Sequence, residues 1–244
     1  MSEPVQSQAR LYPLGDRVVV VELGEDASEA TALRVRTVSE HFLGKSLPGV
    51  LDVVPAVCTV ALHYDPRDVE NGEAEISPYA ALAAQITQRL QGLETREAPS
   101  ATTFEVPVCY GGAFGEDLES LAAARGLTAD EVIALHSEPL YRVQMLGFAP
   151  GFAYLAGLDP RLATPRRASP RTNVPAGSVG IGGELTGVYP LDLPGGWQLI
   201  GRSPVRLFDP STEPPTPFSM GDRVRFIPVS PEEFQRLLRE GRWR

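Results

Sequence analysis

The spacing of apolar residues changes period along this chain, and each change marks an element. Arg17 to Leu23 (R-V-V-V-V-E-L) is a β-branched run after the turn-like Leu14-Gly15-Asp16, and it reads as a buried strand. From Asp26 to Leu43, Ala30, Leu33, Val38 and Phe42 recur at helical spacing. Ser28 is placed to cap that helix, with Glu29 favourable in its first turn. Val50 to Val54 and Val57 to Tyr64 are strands around Pro55. Ser77 to Leu93 is a second helix that opens on Ser77-Pro78 and carries Leu82, Ile86 and Leu90 on one face. The order strand, helix, strand, strand, helix predicts a small open sheet with helices on one side.

Glu94 to Thr103 is polar and aperiodic, and reads as a linker. Phe104 to Cys109 begins a new strand. Leu118 to Arg125 and Thr128 to His136 are helical, divided by Gly126, and Thr128 with Glu131 has capping-box spacing. From Leu140 onward the pattern turns strand-like. Between Met145 and Pro210 glycine and proline recur every few residues, which excludes a long helix and suits short strands with loops gathered at a pocket. Arg223 to Val229 is a late strand and Pro231 to Glu240 a closing helix. Many short strands within about 120 residues predict a closed or nearly closed barrel. The fold class is α+β, with domains expected at residues 1–95 and 104–244.

The length of 244 residues allows one large domain or two ordinary ones, and 43% hydrophobic with 22% charged residues fits a globular chain with a core. No apolar run approaches the roughly 20 residues that span a bilayer, and Met1 to Arg10 lacks the apolar core of a signal peptide. A cytoplasmic protein without a membrane partner is expected. Cys58 and Cys109 fit reduced thiols. A formal charge of −9 argues against nucleic acid as a general partner. Lys45 is the only lysine, and arginine's planar fork suits carboxylate or phosphate wherever arginines converge.

Several familiar motifs fail on context. Gly44-Lys45-Ser46 has Ser39 where a phosphate loop needs glycine. Gly180-Ile181-Gly182-Gly183 lacks the third glycine of a dinucleotide fingerprint. Ala176 to Gly180 resembles a nucleophile elbow around Ser178, but the glycines that follow cannot open the required helix. His41, His63 and His136 show no metal-ligand spacing, so no metal site is expected. His136 ends a helix, where the dipole would raise its pKa; a C-terminal cap and a proton-transfer role stand level. Arg166, Arg167 and Arg171 crowd a proline-stiffened loop, T-P-R-R-A-S-P-R-T. Singly each reads as a surface ion pair; as a group they are the best holders of an anion. Phe148, Phe152, Tyr154 and Trp197 line a pocket or fill the core.

Some stretches carry a resemblance. These are Leu47-Pro48-Gly49-Val50, Val106-Pro107-Val108-Cys109-Tyr110-Gly111-Gly112, Leu135-His136-Ser137, G-F-A-P-G-F-A-Y-L from Gly147 to Leu155, P-R-R-A-S-P-R-T and V-P-A-G-S-V-G-I. Together they resemble the carboxyltransferase subdomain C/D family, which includes the B component of 5-oxoprolinase, the kinase inhibitor KipI and allophanate hydrolase subunit one. The resemblance implies a small N-terminal α/β sandwich and a C-terminal cyclophilin-like β-barrel. It implies one component of a hydrolase, inactive alone, that helps ATP-dependent opening of the 5-oxoproline lactam to glutamate together with the A and C components. The alternatives are an inhibitor of a sensor histidine kinase and a urea-carboxylating component. Phosphorylation of the lactam oxygen makes it a leaving group for attack by water, so cations and an acid/base group are needed. The expected site is then His136 for catalysis, with Arg166, Arg167, Arg171 and Ser178 holding substrate or phosphate. Tyr141, Met145, Phe148, Pro150, Gly151, Phe152, Tyr154, Pro175 and Gly177 line the pocket. ATP is expected on this chain or shared with a partner. Ala113 departs from the family, whose members usually carry an acidic residue after the two glycines.

Overall fold

A computed structural model describes residues 5, 9–70, 76–95 and 102–241. The chain divides into two compact units, Met1–Pro99 and Ser100–Arg244. Most of the expected linker, 96–101, lies outside the described residues, as does most of the polar start.

The first unit holds a four-stranded antiparallel sheet in the order β1-β2-β4-β3. Its strands are β1 (Arg10–Pro13), β2 (Val18–Glu22), β3 (Val50–Pro55) and β4 (Thr59–Tyr64). Helix α1 (Glu29–Gly44) packs on β3 and β4, and α2 (Pro78–Leu90) packs on β2. Both helices start where a serine satisfies an orphan backbone N–H: Ser28 accepts from Thr31 N and Ser77 from Ala80 N. The valines of β2 are all buried, as the unbroken β-branched run requires.

The second unit is built on a closed seven-stranded barrel, in the order β10-β7-β6-β13-β5-β12-β9. The strands are β5 (Thr103–Tyr110), β6 (Tyr141–Leu146), β7 (Ala153–Ala156), β9 (Ser178–Gly182), β10 (Leu185–Val188), β12 (Gln198–Arg202) and β13 (Arg223–Pro228). The short strands β8 (Arg171–Val174) and β11 (Leu193–Gly195) form a separate pair. Alternate residues, among them Val106, Val108, Tyr141, Val143, Val179, Ile181, Val224 and Phe226, form one buried cluster. Helices α3 (Leu118–Arg125) and α4 (Ala129–Ser137) join it through Leu118, Leu121 and Val132. Gly126 ends α3 in the left-handed region, and the Thr128–Glu131 capping box opens α4. Helix α5 (Pro231–Glu240) begins at Ser230, which accepts from Glu233 N. No described helix is long and apolar enough to cross a membrane.

Candidate functional site

Five aromatic side chains converge on the outside of the barrel wall around a cleft of about 220 Å³. Phe148 comes from the turn between β6 and β7, Phe152 and Tyr154 from the start of β7, Tyr189 from the end of β10, and Trp197 from the entry to β12. Pro170, Pro194, Gly195 and Gly196 complete the rim with Arg166. Phe152 is the hub. Its ring meets Phe148, Tyr154, Tyr189 and Trp197 edge-on at centroid distances of 5.3, 4.8, 5.4 and 5.4 Å. Such T-shaped contacts hold the walls rigid while leaving ring faces and edges for a flat ligand.

Glycine makes room for this cluster. Val179 and Ile181 enter the barrel core, so Gly180 and Gly182 take the opposite face of β9. A Cβ on Gly182 would overlap the Trp197 indole, and one on Gly187 would sit 3.3 Å from both Phe152 Cζ and Trp197 Cζ3. The glycine-rich run is therefore the floor on which the indole lies. Gly182→Ala is expected to cost about 1–3 kcal/mol of stability through overpacking. In a Trp243→Phe background the Trp197 fluorescence should shift to the red as the ring is displaced. An unshifted spectrum would count against this floor.

Phe148 is 59% exposed and holds φ at 70°, a positive value no other described non-glycine residue adopts. A bulky side chain in that region costs on the order of 1–2 kcal/mol. An exposed aromatic ring held in this conformation at the mouth of the cleft makes Phe148 a candidate for ligand contact.

The charged residue in the lining is Arg166, exposed at the rim and without a carboxylate partner among the described residues. Burial pushes the Tyr154 and Tyr189 hydroxyls up, and the positive charge of Arg166 opposes this at both. Both phenols stay protonated and can donate. The neighbouring arginines are used differently, which corrects the expected triple cluster. Arg171 Nη2 and Arg167 Nη1 donate to Asp117 Oδ1 at 2.8 and 3.1 Å, and the Leu199 backbone N–H donates to Asp117 Oδ2 at 2.7 Å. Arg171 also lies 3.5 Å from Glu116. Arg167 and Arg171 thus anchor the loop that presents Arg166 and Pro170; they do not line the cleft.

His136 is a second correction. Its ring is fully buried, stacked on Phe226 at 4.6 Å within the barrel core. Thr186 donates its hydroxyl to Gly180 O at 3.0 Å, so at 2.8 Å it accepts from His136 Nε2. Nδ1 then accepts from the Tyr110 hydroxyl at 2.8 Å. These bonds select the neutral ring protonated on Nε2. Desolvation lowers its pKa to about 3, against the rise expected from a helix end. Burial outweighs the dipole, and the ring does not reach the cleft. Tyr141 is also fully buried, and its hydroxyl donates to His136 O at 2.8 Å.

Of the other expected pocket residues, Phe148, Phe152 and Tyr154 line the cleft. Met145, Pro150, Gly151, Pro175, Gly177 and Ser178 do not. Gly151 is buried where a Cβ would meet Leu207 O at 2.5 Å, a turn requirement, and Ser178 is sealed within β9. Ala113 is exposed on a short 3-10 turn, Gly112–Phe114. Sequence reading missed Asp117 and Tyr189. Asp117 looks like an ordinary residue before a helix, and Tyr189 follows a strand too short to stand out. Among the described residues no group of three His, Cys, Asp or Glu is placed to hold a metal.

A family model for the carboxyltransferase domain, subdomain C and D, matches residues 9–218. The B component of 5-oxoprolinase from Bacillus subtilis is 39% identical over 92% of this chain and 95% of its own. The protein of that name from Escherichia coli O157:H7 is 43% identical over 91% and 96%. The crystal structure of TTHA0988 superimposes with a TM-score of 0.75 at 41% identity, covering 88% of this chain but only 40% of that longer one.

Proposed function

The chain belongs to the carboxyltransferase domain family, subdomain C and D, and from that premise we propose that it is the B component of an ATP-dependent 5-oxoprolinase. The observation that carries this reading is the aromatic cleft with an arginine at its rim that no described carboxylate pairs. 5-Oxoproline is a flat five-membered lactam with one carboxylate. Ring faces and edges suit the lactam, Arg166 suits the carboxylate, and the neutral hydroxyls of Tyr154 and Tyr189 suit the amide oxygen. The cleft is smaller than the roughly 300–1,000 Å³ of sites for drug-sized ligands, so ATP is given no place in it. Similarity at 39% and 43% identity to two B components of 5-oxoprolinase, over more than nine-tenths of each, supports the assignment. That an equivalent stretch forms 40% of the longer TTHA0988 chain supports a unit working joined to other protein, here the A and C components. The two units are read as two domains, the second a cyclophilin-like barrel.

An amide is a poor electrophile, and ATP changes that. Phosphoryl transfer to the lactam oxygen releases ADP. Water then adds to the ring carbon, the nitrogen leaves as an amine, and an acyl phosphate remains. A second water releases phosphate and leaves glutamate. In this scheme the chain holds and orients the lactam and keeps it from bulk water; the proton transfers belong to groups other than the sealed His136.

The isolated chain is expected to be inactive, and addition of the A and C components should produce ATP hydrolysis that depends on 5-oxoproline. Arg166→Gln should raise KM for 5-oxoproline by about 10–100-fold, the loss of one charge-assisted pair of about 1.5–3 kcal/mol, with kcat little changed. ATP hydrolysis no faster with 5-oxoproline than without it would overturn the function. An unchanged KM would remove only the cleft from it.

A further inference from the structure

One hydroxyl in the aromatic cleft belongs to a buried side chain and has no acceptor within the chain. Tyr189 lines the cleft, yet it is only 2% exposed. Its backbone is pinned on both sides: Tyr189 N donates to Ser178 O at 2.9 Å, and its carbonyl accepts from Gly177 N at 2.7 Å. Its ring stands edge-on to Phe152 and Phe148 at centroid distances of 5.4 and 6.3 Å. Gly195, on the rim, places the hydroxyl end: a Cβ there would overlap the phenol oxygen and lie 2.8 Å from Cε1 and Cζ. Gly195 is itself held in register with Arg171, which Asp117 anchors. The hydroxyl therefore occupies the space that a side chain at this rim position would fill.

Among the described residues no group accepts the Tyr189 proton. The backbone group beside the oxygen is the Trp197 N–H, a donor, and the charged groups that act on it are Arg166 and Arg171, donors as well. Tyr154 is more exposed, so water can take its proton. A buried donor without an acceptor costs stability, and a ligand oxygen removes that cost. In 5-oxoproline the carboxylate and the lactam oxygen flank the ring nitrogen on one edge, and the other edge is methylene. Arg166 and the Tyr189 hydroxyl suit the polar edge, and the aromatic walls suit the methylenes. We propose that Tyr189 is the specificity-determining residue of the cleft: its hydroxyl, given room by Gly195, donates to the lactam oxygen and so selects a cyclic amide over a five-membered ring carboxylate that lacks this oxygen. This assignment rests on the reading of the cleft as a lactam site. A carbonyl oxygen has two lone pairs, so the bond leaves one free for the phosphoryl group.

The test is calorimetric titration of the full chain with 5-oxoproline and with cyclopentanecarboxylate, which keeps the ring and the carboxylate but lacks the oxygen. The parent should bind the lactam at least about tenfold more tightly. Tyr189→Phe should bring the two within about threefold of each other by weakening the lactam alone. Because the hydroxyl has no acceptor in the chain, this variant should melt close to the parent, which separates recognition from a structural role. Gly195→Ala should act in the same direction by displacing the hydroxyl. The proposal is overturned if Tyr189→Phe keeps the preference, if Tyr154→Phe loses it while Tyr189→Phe does not, or if 5-oxoproline does not bind. ATP hydrolysis dependent on 5-oxoproline, in the mixture with the A and C components, judges the function separately. Hydrolysis intact with the preference unchanged in Tyr189→Phe would remove only the tyrosine contact. The expected preference without hydrolysis would uphold the contact and remove the function.

Discussion

Replacing Asp117 by alanine is expected to destabilise the protein by about 3–5 kcal/mol, the range for removing one partner of a buried ion pair. The side chain is only 7% exposed and serves three donors at once. Arg171, at 16% side-chain exposure, would keep a largely buried charge with only the exposed Glu116 nearby. The Leu199 N–H would be left without its acceptor in the barrel wall. Arg167 is more exposed, so water replaces much of what it loses. Asp117→Asn keeps an oxygen for Leu199 and should cost less, about 1–3 kcal/mol. Urea denaturation measures both. Because the arginine loop also presents Arg166, the variants should weaken ligand binding beyond their loss of stability. An alanine variant within about 1 kcal/mol of the parent would show that the loop stands without its anchor.

Acid should destabilise the fold through His136. The group is neutral when folded, with a pKa of about 3, and reverts to about 6.5 when unfolded. Below pH 6.5 the unfolded chain binds a proton that the native chain does not, so stability falls as pH falls, and the loss continues to about pH 3. The slope is about 1.4 kcal/mol per pH unit, or about 2–3 kcal/mol at about pH 4.5 relative to about pH 8. His41, also lowered by burial, works in the same direction. Comparison with His136→Gln isolates the effect. That variant should be less stable at every pH yet show a shallower decline between about pH 6.5 and about pH 4.5. Parallel curves would mean that the ring is reached by water or protonated in the fold.

Local features of this protein were legible in its residues because the forces involved act over a few positions. Ser28, Ser77, Thr128 with Glu131, and Ser230 each cap the helix they precede, and the bounds of α3 and α5 follow from Gly126 and Ser230-Pro231. The β-branched and glycine-proline patterns likewise carried the strand-rich second unit and its barrel. Strand β1 escaped notice, and from Leu140 to Pro210 the short strands were expected only as a strand-rich region, each being too short for alternation to fix its bounds. What the tertiary structure alone decided was how neighbours of one kind are used. Arg166 and Arg167 are adjacent, but only the second meets Asp117, fifty positions away. A helix end spoke for a charged His136, yet the barrel closing over it made the ring neutral. Charge and proton affinity depend on what surrounds a group in space, and the order of residues names the groups without naming those surroundings.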